Sequence, residues 1–147
     1  MRAVIEPVAM SRGPIVVGLL GCGTGGTGVL KVLDEHAAEV QERLGVSIQV
    51  KRVAVKQKDK PRDVTLEKGV LTDDPDLVLD DPAIHVIVEL VGGLKPTREM
   101  VLKAIRSGKH VVTANKALLA AHGKELFDEA RKKGVTIEFE GSVGGGI

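Results

Sequence analysis

Aromatic residues and cysteine are nearly absent from this sequence. Of 147 residues only Phe127 and Phe139 are aromatic, so the core must be aliphatic and few side chains are available for stacking on nucleobases. The single cysteine, Cys22, excludes an intramolecular disulfide and any multi-cysteine zinc site, which favours a reducing compartment. Because no histidine or lysine lies nearby in the sequence, we interpret Cys22 as a small buried side chain rather than a reactive thiol.

The sequence also lacks an excess of charge and a long apolar run. Twenty-one basic and 20 acidic residues give a formal net charge of +1, which removes a general electrostatic basis for binding nucleic acid or an anionic membrane. No apolar run approaches the roughly 18 residues of a membrane span. The first residues contain Glu6 and Pro7 and do not resemble a secretory signal. We therefore expect a flexible leader over 1–13 and one cytoplasmic domain over 14–147, with neither nucleic acid nor a membrane as partner.

Apolar runs of strand length alternate along the chain with segments of helical period. A short helix is expected within the acidic stretch 73–81, whose carboxylate spacing does not match a calcium loop. The alternation predicts an α/β fold: a Rossmann-type, doubly wound and mainly parallel sheet with helices on both faces. The predicted strands cover 15–20, 46–55 with a bulge near Arg52, a short piece near Val70 and Leu71, 86–91, 110–114 and 135–139; the longer helices cover 27–44, 96–107 and 118–133, the last interrupted at Gly123.

Glycine is abundant, with 18 in 147 residues against a usual share of roughly 7%. Most of these glycines form three clusters, over 21–28, 92–93 and 141–146, and each cluster follows a predicted strand. Ligands of doubly wound sheets bind at the carboxyl ends of the strands. The three clusters together therefore predict one ligand crevice at that edge of the sheet.

The first cluster contains the dinucleotide-binding pattern G-x-G-x-x-G, formed by Gly21, Gly23 and Gly26. Gly21 would permit the tight turn, Gly23 would let the backbone approach a pyrophosphate, and Gly26 would let helix and strand pack closely. The amides of Thr24 and Gly25 would point at the phosphates from the helix N-terminus. The alternative is a loop that only connects the strand to the helix and binds no ligand.

The end of the second predicted strand carries a lysine where an NAD site usually has a carboxylate. Asp or Glu at that position binds the ribose 2′-hydroxyl and repels a 2′-phosphate, whereas an ammonium attracts the phosphate. Lys56, with Lys58 close by, therefore favours NADP as the cofactor, with NAD as the alternative. These lysines belong to a basic segment that would otherwise be read as a solvated loop.

The remaining motifs resemble the N-terminal NAD(P)-binding domain of homoserine dehydrogenase. The similar segments are VVGLLGCGTGGTGVLKVL, VIVELVGG, GKHVVTANKALLA and FEGSVGGGI, and together they span Pro14 to Ile147. ELVGG followed by TANKALLA is much more specific than the glycine fingerprint. Two positions depart from the family's pattern: Gly25 stands where a branched aliphatic is usual, and Gly141 stands where alanine is usual.

The resemblance implies an NAD(P)-dependent oxidoreductase that interconverts L-aspartate semialdehyde and L-homoserine in threonine, methionine and isoleucine biosynthesis. From the residues alone, Lys116 follows a strand end, where its ammonium would meet a phosphate, carbonyl or developing alkoxide, although an isolated lysine is more often solvated. The residues that match the family's cofactor site are Gly21, Gly23, Thr24, Gly25 and Gly26 in the phosphate loop, Gly92 and Gly93 beside the nicotinamide ribose, and Thr113, Asn115 and Lys116 along the nicotinamide and active-site cleft.

The resemblance also implies a monovalent cation site, for example for sodium, at the end of the sequence. Oxygen ligands in a glycine-rich turn suit a hard cation, and the alternative is a linker that leaves the sheet. The matching residues are Glu140, Val143, Gly145 and Ile147.

The family's residues for proton transfer and substrate binding lie in a second domain that follows this glycine run, so no catalytic residue is assigned here. We therefore expect this chain to bind cofactor without turnover and the longer protein to be a homo-oligomer. The competing hypothesis is a free-standing NAD(P)-binding module that senses redox state and regulates a partner. Residues 135–139 are expected to form an edge strand.

Overall fold

The computed structural model describes residues 13–21, 27–31, 38, 41–42, 45–59, 61–62 and 66–139. Residues 27–31, 38 and 41–42 are helical and lie between the first two strands. The strands are β1 (Ile15–Leu20), β2 (Ile48–Ala54), β3 (Leu71–Thr72), β4 (Val86–Glu89), β5 (His110–Thr113) and β6 (Ile137–Phe139), and the helices with described bounds are α1 (Asp76–Leu79), α2 (Thr97–Arg106) and α3 (Lys116–Lys133).

The six strands form one sheet in the order β3-β2-β1-β4-β5-β6, and every neighbouring pair is parallel. The chain runs outward from β1 to β3, returns to the centre, and then runs outward again from β4 to β6. This order has its switch point between β1 and β4, where doubly wound sheets bind dinucleotides. The predicted Rossmann-type sheet is confirmed.

Adjacent residues of β1 pack on opposite faces of the sheet, since successive side chains of a strand alternate. Leu19 packs with Val53 and with Leu30 of the first helical segment. Leu20 belongs to the larger cluster on the other face, which is built from α1, α2 and α3 with Ile87 and Val111 of the central strands. Burial on both faces explains why the central strands are almost continuously aliphatic.

No helix in the described part of the chain is long and apolar enough to cross a bilayer.

Helix α3 differs from its prediction in two ways. It begins two residues earlier, at Lys116, because the Asn115 side chain caps it by accepting the Leu118 amide at 3.0 Å. It also passes through Gly123 without interruption, so the predicted break is wrong. Glycine inside a helix costs about 1 kcal/mol relative to alanine, and the buried face of α3 against the sheet and α2 offsets that cost.

Strand β1 has the predicted bounds, whereas β2, β4, β5 and β6 are shorter than predicted, and β4 shows why. The apolar run continues to Val91, but the strand ends at Glu89 because the following residues turn toward Gly92. The bulge predicted near Arg52 is confirmed: Val17 pairs with Val50 and Gly18 with Arg52, so Lys51 is the extra residue in β2.

Asp81, in the loop between α1 and β4, joins three parts of the fold. Its carboxylate lies 2.7 Å from Lys51 Nζ and accepts the Ala83 amide at 2.9 Å, while its carbonyl accepts the Lys109 ammonium at 2.6 Å. The Lys51 ammonium lowers the pKa of Asp81 below its ordinary value of 3.8, with further lowering by the Ala83 amide and Arg52 against the opposing effect of burial. The carboxylate form therefore stabilises the native state.

The Asp81→Asn variant is expected to lose about 1 kcal/mol of stability at neutral pH, a modest value because Lys51 is partly exposed. A lowered native pKa means that the stabilisation is complete above the unfolded-state value of about 4 and is lost as the pH falls through the native pKa. The difference from wild type should therefore shrink on acidification below about pH 4. Urea unfolding across this range measures it, with exposed Glu138→Gln as the control. A difference that does not change with pH would contradict the assignment.

Candidate functional site

A cleft of about 580 Å³ opens at the carboxyl ends of β1, β2 and β4. The described part of its lining is mainly apolar, with cationic side chains at the β2 end and the carboxylate of Asp73 beyond β3. The volume lies in the range of small-molecule and cofactor sites. The lining residues are Leu20, Gly21, Ala54, Val55, Lys56, Gln57, Arg62, Asp73, Pro75, Leu90, Val91, Pro96 and Met100.

Gly21 lies at the switch point and connects the three strand ends. Its amide donates to the Ala54 carbonyl at 2.7 Å, and its φ of +94° is a left-handed conformation that side chains rarely adopt. A Cβ at this position would lie 3.2 Å from the Leu90 carbonyl group and the Val91 nitrogen. The backbones that follow β1 and β4 thus approach so closely that any side chain at position 21 would be strained and would press on backbone atoms. The other fingerprint residues, Gly23, Thr24, Gly25 and Gly26, lie outside the described residues.

The loop after β2 brings two cationic side chains to the cleft. Lys56 is exposed and lines it directly after the strand. Arg62 also lines it, and its guanidinium donates to the Gln57 carbonyl at 2.6 Å and to the Lys58 carbonyl at 3.2 Å. The sequence pattern does not indicate Arg62 as a cleft residue, because its six-residue separation from Lys56 gives no sign that the loop folds back.

The turn formed by Gly92 and Gly93 follows β4, and side chains from three elements hold it. The Gly92 carbonyl accepts a hydrogen bond from the Thr97 hydroxyl at 2.7 Å. The Gly93 carbonyl accepts one from the side-chain amide of Asn115, also at 2.7 Å. The Gly92 amide donates to Glu89 Oε2 at 3.0 Å. Both glycines have left-handed φ values, 81° and 71°, which explains the residue type at each.

Thr113 and Asn115 direct their side-chain hydrogen bonds into the protein. The Thr113 hydroxyl donates to Glu89 Oε1 at 2.5 Å and accepts a hydrogen bond from the backbone amide of Asn115 at 3.0 Å. Asn115 caps α3 and holds Gly93 with the same side chain. Lys116, the first residue of α3, is exposed. The described contacts therefore make Thr113 and Asn115 supports of the turn beside the cleft.

The expected cation site cannot be placed, since Glu140, Val143, Gly145 and Ile147 lie outside the described residues. Within the described residues, no group of three or more histidine, cysteine, aspartate or glutamate side chains could hold a metal ion.

A family model described as the NAD-binding domain of homoserine dehydrogenase matches residues 21–140. This chain belongs to that family. A homoserine dehydrogenase of Bacillus subtilis is 47% identical over 133 residues, which cover 90% of this chain and 31% of the relative. A homoserine dehydrogenase of Pseudomonas aeruginosa is 46% identical over 134 residues, which cover 91% of this chain and 30% of that relative. The chain thus spans about a third of the length of these relatives.

Solved structures of homoserine dehydrogenases show the same fold. That of Thiobacillus denitrificans is 52% identical, with a TM-score of 0.81, over 86% of this chain and 29% of that chain. A structure of the S. aureus enzyme is 40% identical, with a TM-score of 0.82, over 88% of this chain and 33% of that chain. The resemblance drawn from the sequence motifs is confirmed.

Proposed function

We propose that this chain is the NADP(H)-binding part of a homoserine dehydrogenase. In the longer protein it would serve the reversible conversion of L-aspartate semialdehyde to L-homoserine, an amino-acid biosynthetic step. The observation that carries the proposal is the cleft itself, which lies at the β1/β4 switch point of a β3-β2-β1-β4-β5-β6 sheet and begins at Gly21. Fold alone would not suffice; membership of this dehydrogenase family supplies the reaction.

The lining of the cleft fits a phosphorylated dinucleotide. Lys56 and Arg62 lie at the β2 end, where the adenosine ribose binds in sheets of this topology. Two cations at that end would attract a 2′-phosphate, and the Arg62 guanidinium is already oriented by the Gln57 and Lys58 carbonyls. Among the described residues of the lining, Asp73 is the carboxylate. This balance of charge supports NADP over NAD.

The bound nicotinamide nucleotide would supply the hydride, and the protein would supply orientation and electrostatics. Gly21 would make the tight turn that leads from β1 into the phosphate loop. The apolar residues Leu90, Val91 and Met100 line the other end of the cleft and would exclude water around a bound nicotinamide. Residues that bind substrate or transfer its proton are expected in the part of the longer protein that this chain does not span. The isolated chain is therefore proposed to bind cofactor without turnover.

Calorimetric titration of the chain with NADPH and NADH tests this function, and Lys56→Glu tests the preference. Wild type should bind both nucleotides, NADPH more tightly. The variant should lose about tenfold in NADPH affinity while NADH binding is retained, because the new carboxylate repels only the 2′-phosphate. Lys133→Glu makes the same charge change at the far end of α3 and should leave both affinities unchanged.

Absence of binding for both nucleotides to folded wild type would refute the proposed function. Equal losses of NADPH and NADH affinity in Lys56→Glu would refute the 2′-phosphate assignment alone. The monovalent cation at Glu140, Val143, Gly145 and Ile147, the homo-oligomer of the longer protein and its cytoplasmic location stay predictions.

A further inference from the structure

A carboxylate lies fully buried at the end of the central strand β4. Glu89 is 0% exposed in a strand that is otherwise aliphatic. Burying a carboxylate is costly unless its oxygens accept hydrogen bonds. None of the ion pairs between described residues includes Glu89, and both of its oxygens accept from neutral donors, the Thr113 hydroxyl and the Gly92 amide. A buried carboxylate with no opposite charge among these ion pairs calls for an explanation beyond core packing.

The two donors come from different elements of the fold and bond to different oxygens of Glu89. Thr113 ends the neighbouring strand β5 and pairs in register with Glu89. Gly92 begins the glycine turn, which is otherwise tied at its carbonyls by Thr97 and Asn115. An added Cβ at Gly92 or Gly93 would meet no atom within 4 Å, so the side of the turn where a Cβ would project is open. The hydrogen bonds from Thr97, Asn115 and the Gly92 amide hold the turn, and Glu89 is the partner of that amide.

The turn connects, along the chain, two stretches that line one wall of the cleft. Leu90 and Val91 line the cleft before it, and Pro96 and Met100 line it afterwards. The adenosine end of a dinucleotide lies toward β2, so the nicotinamide end lies on the β4 side of the switch point. Movement of the turn would shift this wall.

We propose that Glu89 is a positioning residue for the nicotinamide half of the cofactor, acting through the Gly92 amide and the Thr113 hydroxyl. This inference rests on the proposed cofactor-binding function. It makes a distinctive prediction: loss of Glu89 should weaken binding of the whole dinucleotide but not of its adenosine half, which contacts the β1 and β2 ends. A purely structural role would weaken both in proportion to the loss of folded protein.

The experiment uses the full 147-residue chain and two probes, NADPH and 2′-phosphoadenosine 5′-phosphate, with thermal unfolding recorded for each variant. Glu89→Gln keeps the shape but replaces one acceptor oxygen by a donor that opposes the Gly92 amide or the Thr113 hydroxyl. We expect about a tenfold rise in the NADPH dissociation constant, the usual effect of losing a hydrogen bond to a charged group. Binding of the adenosine probe should change less than about twofold.

Two further variants keep the test decisive if Glu89→Gln is poorly folded. Thr113→Val removes the hydroxyl and retains the shape, and should lower NADPH affinity in the same selective way. Thr113→Ser retains the hydroxyl and should restore most of that affinity. Glu138→Gln, an exposed site on β6, is the control for the chemical change.

Unchanged NADPH affinity in the Glu89 and Thr113→Val variants would overturn the positioning role. So would equal losses for NADPH and the adenosine probe. These results differ from failure of the proposed function, in which wild type itself would bind neither probe and the positioning role would fall with it.

Discussion

Gly21→Ala is expected to weaken NADPH binding by about a hundredfold and to destabilise the fold by about 1–3 kcal/mol. Two independent costs combine at this position. The φ of +94° is strained for alanine, and the added Cβ would press at 3.2 Å on the Leu90 carbonyl and the Val91 nitrogen. Because these atoms are backbone, relief requires that the segments after β1 and β4 separate beside the loop that is proposed to bind the pyrophosphate. Calorimetric titration and urea unfolding measure the two effects.

Gly69→Ala is the control that separates the effect of backbone strain from the effect of the close contact at Gly21. Gly69 also has a left-handed φ, +88°, but a Cβ there would meet nothing within 4 Å, and the residue does not line the cleft. We expect a stability loss of about 1–2 kcal/mol from the backbone conformation with no change in nucleotide affinity. If both variants lost affinity equally, the close approach of β1 and β4 would not be the cause.

Gly18→Val is expected to give the largest loss of stability, about 3 kcal/mol or more. A Cβ at Gly18 would lie 2.5 Å from Val78 Cγ1 and 3.1 Å from Ile84 Cδ1. Both neighbours are buried side chains, in α1 and in the loop before β4. A branched side chain would therefore have to displace α1 from the sheet. Urea unfolding monitored by far-ultraviolet circular dichroism would show a lower midpoint.

Gly123→Ala is the comparison variant, because here an added side chain is expected to raise the stability and not to lower it. Gly123 lies inside helix α3, and its added Cβ would meet Leu119 and Phe127 at 4.0 Å, an ordinary contact. Alanine should stabilise the helix by about 0.5–1 kcal/mol. A Gly18→Val protein as stable as wild type would show that α1 is not packed against β1 in solution.

The alternation of strands and helices could be predicted because its cause is local. A strand buried on both faces needs consecutive aliphatic residues, as in Ile15–Leu20, and an amphipathic helix needs apolar residues at helical spacing. The glycines at positions 21, 92 and 93 could be placed at strand ends for the same reason, since each follows an aliphatic run directly. Family membership followed from motifs that are themselves contiguous.

Predictions failed where a distant contact outweighed a local preference. Gly123 disfavours a helix locally, yet α3 continues through it because Leu118, Leu126 and Ala130 are buried on either side. The run 86–91 favours a longer strand, yet β4 ends when Gly92 turns. Helix and strand ends depend on such competition, and sequence periodicity does not record it.

The sequence by itself determined the fold class, the family and the position of the first fingerprint glycine, because these depend on residues near one another in the chain. Only the tertiary structure decided which residues form the cleft. Thr113 meets Glu89 across 24 positions of sequence, and Asn115 meets Gly93 across 22. Parallel strands require a crossover, so residues that share a strand-end site are necessarily far apart in the chain. That separation explains why the contact of Glu89 with Thr113 was found only in the folded structure. Arg62 was missed for another reason, because the sequence does not show that the loop after β2 folds back.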